Sequence, residues 1–302
     1  MDVYTLSTLD QITTEGDRYA VLGFPIKHSL SPVIQKAAFE ACGIKANYIR
    51  LEVPPEAMPE AVEKLKAMNF KGWNCTLPHK MTMLDLIDEA GESARQLGGV
   101  NTVLNKGGKL IGYNTDGPGW VKAVHEVFKV DVRDLHIMIL GLGGAGQALA
   151  IQSALENCDR LVLVNRTFEK TEHLKTLLMP LFRSEHLVGA HDRLMSLHWN
   201  EEAIAEEINH VDLIVNCTSV GLKSSEGPIL PRRILQPHLM VYDTIYPHTH
   251  FLKEADLAGC RTANGLSMLL HQGALAFEIW TERIAPIDIM RDALHAAVAA
   301  VL

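Results

Sequence analysis

The sequence predicts an α/β fold divided into two domains, the second of them a Rossmann-type dinucleotide unit. Three observations carry that expectation. Short apolar runs alternate with amphipathic helical stretches from Arg18 onward, the rhythm of βαβ units. One of these runs passes directly into a glycine-rich turn, at His136–Ser153 (HIMILGLGGAGQALAIQS). The chain's 302 residues fit one large or two medium domains better than one small core.

Bulk composition narrows the class. The net charge is −8 with no run of Lys or Arg, so there is no electrostatic footprint for nucleic acid or an anionic membrane. The opening MDVYTLSTLDQITTEGD is acidic and polar, and no apolar segment approaches the roughly 18 residues of a membrane span. A soluble, cytoplasmic protein is expected. Cys42, Cys75, Cys158, Cys217 and Cys260 are widely spread, with no CxxC or Cys/His spacing, which predicts reduced thiols and no metal.

After the polar lead-in, Arg18–Gly23 reads as a strand and Phe24–His28 as the loop leaving it. Ser31-Pro32 reads as a helix N-cap with proline at the first helical position. Val33, Ile34, Ala37, Ala38 and Ala41 supply the apolar face, and Gly43 the stop. A cap needs one hydroxyl, so Ser29 is surplus. Two hydroxyls beside a helix N-terminus also suit a ligand carboxylate, and the segment alone leaves both readings open.

Ala46–Val53 is a second strand and Pro55–Met68 an amphipathic helix. A third strand, Phe70–Cys75, ends in Asn74-Cys75-Thr76-Leu77-Pro78-His79-Lys80. Open α/β sheets place ligands at the carboxyl ends of strands, so Lys80 is a candidate for chemistry, although solvation is the commoner fate of a lysine. His79 is either a base or a bystander. Gly98–Leu104 and Lys109–Asn114 form a hairpin across Lys106-Gly107-Gly108 and deliver Asn114-Thr115-Asp116-Gly117. Taken alone, Asp116 reads as the cap of a helix Pro118–Phe128, and Asn101 equally as a turn residue. The polar clusters at 29–31, 74–80, 101 and 114–116 gain weight together, because all end strands and all precede the nucleotide unit.

In that unit Ile137–Leu140 is a buried strand, and the turn Gly141-Leu142-Gly143-Gly144-Ala145-Gly146 leads into a small-residue helix to 156. Gly141 permits the turn, Gly143 the approach of a pyrophosphate, and Gly146 close packing of helix on strand. The next strand, Leu161–Val164, ends in Asn165-Arg166-Thr167 with Lys170 one turn on. The acid that would accept from an NAD ribose is missing there. A cation with amide and hydroxyl partners favours the 2′-phosphate of NADP instead.

A helix at 168–179 gives way to a stretch with little signal as far as Trp199, then a helix at 201–208. Asp212–Val215 is a strand running into Asn216-Cys217-Thr218-Ser219-Val220-Gly221, at the edge that faces a nicotinamide. Leu239–Asp243 is another, ending in Thr244-Ile245-Tyr246-Pro247. Gly265–Glu282 is an amphipathic helix interrupted by Gln272, a surface amide or a substrate contact. Pro286–Leu302 reads as a packing helix.

Taken in order, HSLSP, NCTLPHK, GGVNTV, GYNTDG, GLGGAG, NRT, NCTSVG and NGLSMLLHQGA resemble the shikimate dehydrogenase family over nearly the whole chain, most weakly at 171–210. The resemblance implies a substrate-binding catalytic domain from residues 1–115 plus 262–302, with the C-terminal helices returning to it, and a Rossmann NADP-binding domain at 116–261. The active site would lie in the cleft. It implies reversible reduction of 3-dehydroshikimate to shikimate with NADPH, in chorismate and aromatic amino-acid biosynthesis. Quinate or aminoshikimate as substrate, and a non-catalytic NADP(H)-binding regulator on the same fold, stay open.

By the matched motifs, Ser29 and Ser31 would hold the substrate carboxylate, with Tyr246 near it. Thr76, Asn101, Asp116 and Gln272 would bind ring hydroxyls, and Lys80 with Asp116 would be the catalytic pair. Gly141, Gly143, Gly144, Ala145, Gly146, Asn165, Arg166, Thr167, Lys170, Thr218 and Gly265 would hold the cofactor. Partners would be small molecules only, and the protein a monomer or homodimer.

Carbonyl reduction leaves charge on oxygen, so a proton donor is needed, and Lys80 serves in both directions only if burial lowers its pKa from about 10.4. Two departures from the family pattern stand out. The loop after Tyr246 (Pro247-His248-Thr249-His250) is shortened, and Lys170 replaces an arginine, a point charge for a bidentate fork. Thr76, where some quinate users carry serine, favours shikimate.

Overall fold

The computed structural model describes residues 3–300 except 14, 183–192, 224 and 247. The chain forms two compact units, Met1–Gly119 with Leu269–Leu302, and Trp120–Met268.

The first unit is built on a mixed sheet. Its strands β1 (Val3–Tyr4), β2 (Asp17–Gly23), β3 (Ala46–Glu52), β4 (Gly72–Cys75), β5 (Glu89–Ala90), β6 (Thr102–Lys106) and β7 (Lys109–Tyr113) lie in the order β1-β3-β2-β4-β6-β7-β5. β1 to β4 run parallel, and β6 turns back against both β4 and β7. The hairpin falls where expected. Gly107 and Gly108 take φ of 65° and 95°, the left-handed conformation that a two-residue hairpin turn requires. Helices α1 (Ser31–Ala41), α2 (Met58–Ala67), α3 (Lys80–Leu84) and α4 (Glu92–Leu97) connect the strands. Ala20, Leu22, Ile49, Leu51, Val62, Leu65, Trp73 and Val103 make the core on one face.

Within α5 (Asp116–Phe128) the chain passes to the second unit. There β8 (His136–Leu140), α6 (Gly144–Leu155), β9 (Arg160–Asn165), α7 (Phe168–Phe182), β10 (Leu194–His198), α8 (Glu201–Glu207), β11 (Leu213–Asn216), β12 (Met240–Asp243), α9 (His250–Leu257) and β13 (Arg261–Ala263) follow. The sheet is parallel throughout, in the order β10-β9-β8-β11-β12-β13. That is the doubly wound order, with its switch point between β8 and β11. Ile137, Ile139, Leu161, Leu163 and Val215 pack on one face, Met138, Leu140, Val162, Val164 and Ile214 on the other. Burial on both faces is why these strands read as unbroken apolar runs. The strands β1, β5, β10 and β13 and the helices α4 and α9 were not expected from the sequence.

α10 (Leu266–Thr281) and α11 (Ile287–Ala299) complete the first unit. Phe277 and Trp280 of α10 join Tyr19 and Phe39, with Tyr19 ring centroids 4.9 Å from Phe39 and 5.0 Å from Trp280. The Trp280 indole donates to Val103 O at 2.9 Å. It passes so close to Gly72 that a Cβ there would lie 2.3 Å from Nε1.

Candidate active site

Neither α1 nor α5 is capped as the sequence suggested. Ser31 is the first residue of α1 rather than its cap, and its amide donates to Ser29 Oγ at 3.3 Å. Asp116 likewise opens α5, and its amide donates to Asn114 Oδ1 at 3.0 Å, while Asn114 Nδ2 donates to Gly99 O. In both cases the residue two positions earlier does the local bonding, as short polar side chains do in Asx and ST turns. The consequence is chemical: the Asp116 carboxylate is released from capping.

It is used by Lys80. The Lys80 ammonium donates to Asp116 Oδ2 at 2.6 Å, with the lysine side chain 21 % and the aspartate side chain 7 % exposed. Lys80 is fixed from behind, since the Val100 amide donates to its carbonyl at 2.8 Å. Cys75 N donates to Asn101 O and Thr76 N to Leu22 O, which pins the loop after β4 between its neighbours. His79 is excluded as a base. It is 1 % exposed, its Nε2–H donates to Val53 O at 2.8 Å, and burial lowers its pKa, so it is a neutral structural residue. Burial likewise pushes the Cys75 thiol up to about 12, leaving it unreactive beside the lysine.

Asn101 is a buried hub rather than a turn residue. Its Oδ1 accepts from Thr115 N at 2.7 Å and from the Thr102 hydroxyl, and its Nδ2 donates to Thr115 Oγ1 at 2.9 Å. That amide nitrogen carries a second hydrogen. Gln272 is buried too, not a surface amide: Nε2 donates to Leu269 O at 2.7 Å. A Cβ on Gly119 would lie 2.7 Å from the Gln272 backbone nitrogen, so α10 crosses α5 three residues after Asp116.

In the second unit the glycines separate by role. Gly141 has φ +91°, which only glycine takes without strain, and a Cβ on Gly146 would lie 1.9 Å from Gly141 O. Gly143 and Gly144 face open space, with nothing within 4 Å of a built Cβ. The fold needs glycine at 141 and 146; at 143 and 144 it does not, and the space over the turn is open. The N-terminus of α6 faces that space and suits a pyrophosphate.

Asn165 holds this turn, accepting from Leu142 N at 3.0 Å and donating to Thr167 O at 2.9 Å, so its amide is engaged within the protein. Arg166, Thr167 and Lys170 are exposed, and Arg166 and Lys170 have no side-chain partner among the described residues. A cation pair beside a hydroxyl at the end of β9 fits a ribose 2′-phosphate.

Two features here are not marked by any motif in the sequence. Phe168 and the His198 ring, on α7 and β10, stack at 3.6 Å beside Asn165, with which His198 pairs in register. Asp243, fully buried, accepts from Thr249 Oγ1 at 2.6 Å, Ile245 N at 3.0 Å and Asn216 Nδ2 at 3.0 Å, and burial raises its pKa. Asn216 Oδ1 in turn accepts from Thr218 N and Oγ1, so this network fixes the loops of Thr218 and Tyr246. An aspartate ending an apolar strand was the available signal for it. Gly265 is a close crossing, where a Cβ would lie 2.1 Å from Thr244 O. Pro247, in the shortened loop, lies outside the described residues.

Comparison with known proteins agrees in both units. Residues 21–103 match the model of the shikimate dehydrogenase substrate-binding domain, and residues 265–295 that of the shikimate 5′-dehydrogenase C-terminal domain. The shikimate dehydrogenase (NADP+) of Desulforamulus reducens is 37 % identical over 284 residues, covering 92 % of this chain and 94 % of that protein. A crystal structure of a shikimate dehydrogenase in complex with NADP+ superposes with a TM-score of 0.85 at 33 % identity, covering 94 % of this chain and 96 % of the other. The Thermus thermophilus enzyme in complex with NADP(H) and shikimate gives 0.80 at 32 % identity, covering 93 % and 99 %. Among the described residues no helix is long and apolar enough to cross a membrane, and no cluster of His, Cys, Asp and Glu suits a metal ion.

Proposed function

Because the chain belongs to the shikimate dehydrogenase family, we propose that its Lys80–Asp116 pair is the proton-transfer centre of an NADP-dependent reduction of 3-dehydroshikimate to shikimate. The single observation that carries this reading is the 2.6 Å contact between Lys80 Nζ and Asp116 Oδ2. NADPH supplies the hydride that adds to the carbonyl carbon. Lys80 donates a proton to the carbonyl oxygen as negative charge develops there, and recovers one from solvent after turnover. Asp116 aims the ammonium and accepts from a ring hydroxyl. In the reverse direction Lys80 would accept the hydroxyl proton.

Ser29 and Ser31 hold the substrate carboxylate with Tyr246 near it, and Thr76, the second hydrogen of Asn101 Nδ2 and the Gln272 side chain bind hydroxyls. Gly141, Gly143, Gly144, Ala145 and Gly146 cradle the pyrophosphate, Arg166, Thr167 and Lys170 take the 2′-phosphate, and Thr218 and Gly265 complete the cofactor site. The reaction places the protein in aromatic precursor synthesis, acting in the cytoplasm on small molecules alone, as a monomer or homodimer.

The test is the initial rate of shikimate and quinate oxidation, each with NADP+ and with NAD+, followed at the nicotinamide absorbance. Turnover confined to shikimate with NADP+ is the expected result. A preference for quinate would overturn the substrate assignment, and NADPH binding without turnover would favour a regulator. Arg166→Ala should weaken NADP+ by about 100-fold and NAD+ by no more than about twofold, since only the former presents the phosphate that the guanidinium binds. Titration calorimetry with both cofactors reads this directly, and equal losses would remove the 2′-phosphate assignment.

A further inference from the structure

β3 carries polar residues in alternation on the face opposite its core residues Ile49 and Leu51: Tyr48, Arg50 and Glu52. All three reach the segment that holds Ser29 and Ser31. Arg50, 8 % exposed, donates to Ser29 O from both Nε at 2.9 Å and Nη2 at 2.6 Å. The Ser31 side chain lies against the Tyr48 hydroxyl, and Glu52 Oε2 accepts from Ile26 N at 3.4 Å. Tyr48 also donates to Asn74 Oδ1 at 2.6 Å, and Asn74 Nδ2 donates to Asn101 O and to Thr102 Oγ1. The rungs therefore run on toward Asn101.

We infer that β3 is the positioning element of the substrate-carboxylate end of the site, with Arg50 as its principal positioning residue. The inference rests on the reading that Ser29 and Ser31 take that carboxylate. A guanidinium is costly to bury unless its donors are satisfied, and here two of them converge on one carbonyl. Two charge-assisted bonds to Ser29 O hold the serine in place and polarise the Ser29–Leu30 peptide, which strengthens the Leu30 N–H as a donor. They also set a permanent positive charge one peptide away from where an anion is read. Substrate binding should depend on this arrangement, and the chemistry at Lys80 should not.

The experiment compares wild type, Arg50→Lys, Tyr48→Phe and Ser29→Ala by steady-state kinetics with shikimate and by calorimetric NADP+ binding. Arg50→Lys keeps a charge but not the two-donor grip; it should raise KM about tenfold with kcat within about threefold and NADP+ affinity unchanged. Tyr48→Phe, the gentler variant should Arg50→Lys not fold, should raise KM about threefold in the same pattern. Combining Arg50→Lys with Ser29→Ala should cost little more than the worse single change, because both act through one residue. A normal KM in Arg50→Lys or in Tyr48→Phe, beside a raised KM in Ser29→Ala, overturns the role of β3. Parallel losses of kcat and NADP+ binding overturn it as well, since they signal general damage. A normal KM in Ser29→Ala overturns the serine reading and this inference with it.

Discussion

Replacing Lys80 by methionine should lower kcat for shikimate oxidation by about 10³-fold, the scale expected for loss of a positioned acid–base group, while NADP+ binding stays within about twofold. The separation follows from placement. Lys80 opens α3 in the first unit, whereas the glycine turn and the Arg166 cluster belong to the second. A second effect accompanies the first. The Asp116 side chain is only 7 % exposed, so removing its cation leaves a buried carboxylate without its partner, at a cost of about 2 kcal/mol in stability. Lys80→Met combined with Asp116→Asn should therefore recover thermal stability without recovering turnover. Wild-type kcat in Lys80→Met would remove Lys80 from the mechanism, and a double variant that regains activity would assign the proton to another group.

The parts of the fold that were legible share a physical cause. β8, β9, β11 and β12 are buried on both faces of a parallel sheet, so their sequences are continuous apolar runs. The strands that escaped, β1, β5, β10 and β13, are the outermost strands of the two sheets. An edge strand has one neighbour and less to bury, and Glu89-Ala90 or Arg261-Thr262-Ala263 carries no periodic signal at that length.

Caps were misplaced for a related reason. A polar residue just ahead of a helical run marks the helix start, but composition does not separate the residue that bonds the backbone from the one two positions later. Ser29 with Ser31 and Asn114 with Asp116 repeat one pattern, and Asn216 with Thr218, Asp243 with Ile245 and Asn264 with Leu266 repeat it again. At the first two of these pairs the shift leaves the Ser31 hydroxyl and the Asp116 carboxylate out of helix capping, as the roles proposed for them require. Arg50 and Tyr48 stayed hidden because alternation on a strand identifies two faces without saying what lies over the polar one.

Gly143→Val and Gly146→Val should have opposite consequences, though both alter the same glycine turn. At Gly146 an added Cβ would sit 1.9 Å from Gly141 O, a backbone atom that moves only if α6 lifts from β8. The variant should lose about 3 kcal/mol or more of stability, as overpacking against backbone does, and unit 2 should melt early. At Gly143, φ is −77° and ψ −171°, extended backbone open to any residue, and nothing lies within 4 Å of a built Cβ. Its melting temperature should stay within about 2 °C of wild type. What the valine side chain occupies is the space over the α6 N-terminus, so NADP+ and NAD+ should weaken together by about 100-fold, the pyrophosphate being common to both. Arg166→Ala, by contrast, separates the two cofactors. Differential scanning calorimetry and cofactor titration on the same preparations decide the matter: a Gly143→Val protein that binds NADP+ normally would place the pyrophosphate elsewhere. A Gly146→Val protein as stable as wild type would mean that helix and strand do not meet as closely as the Gly141 carbonyl requires.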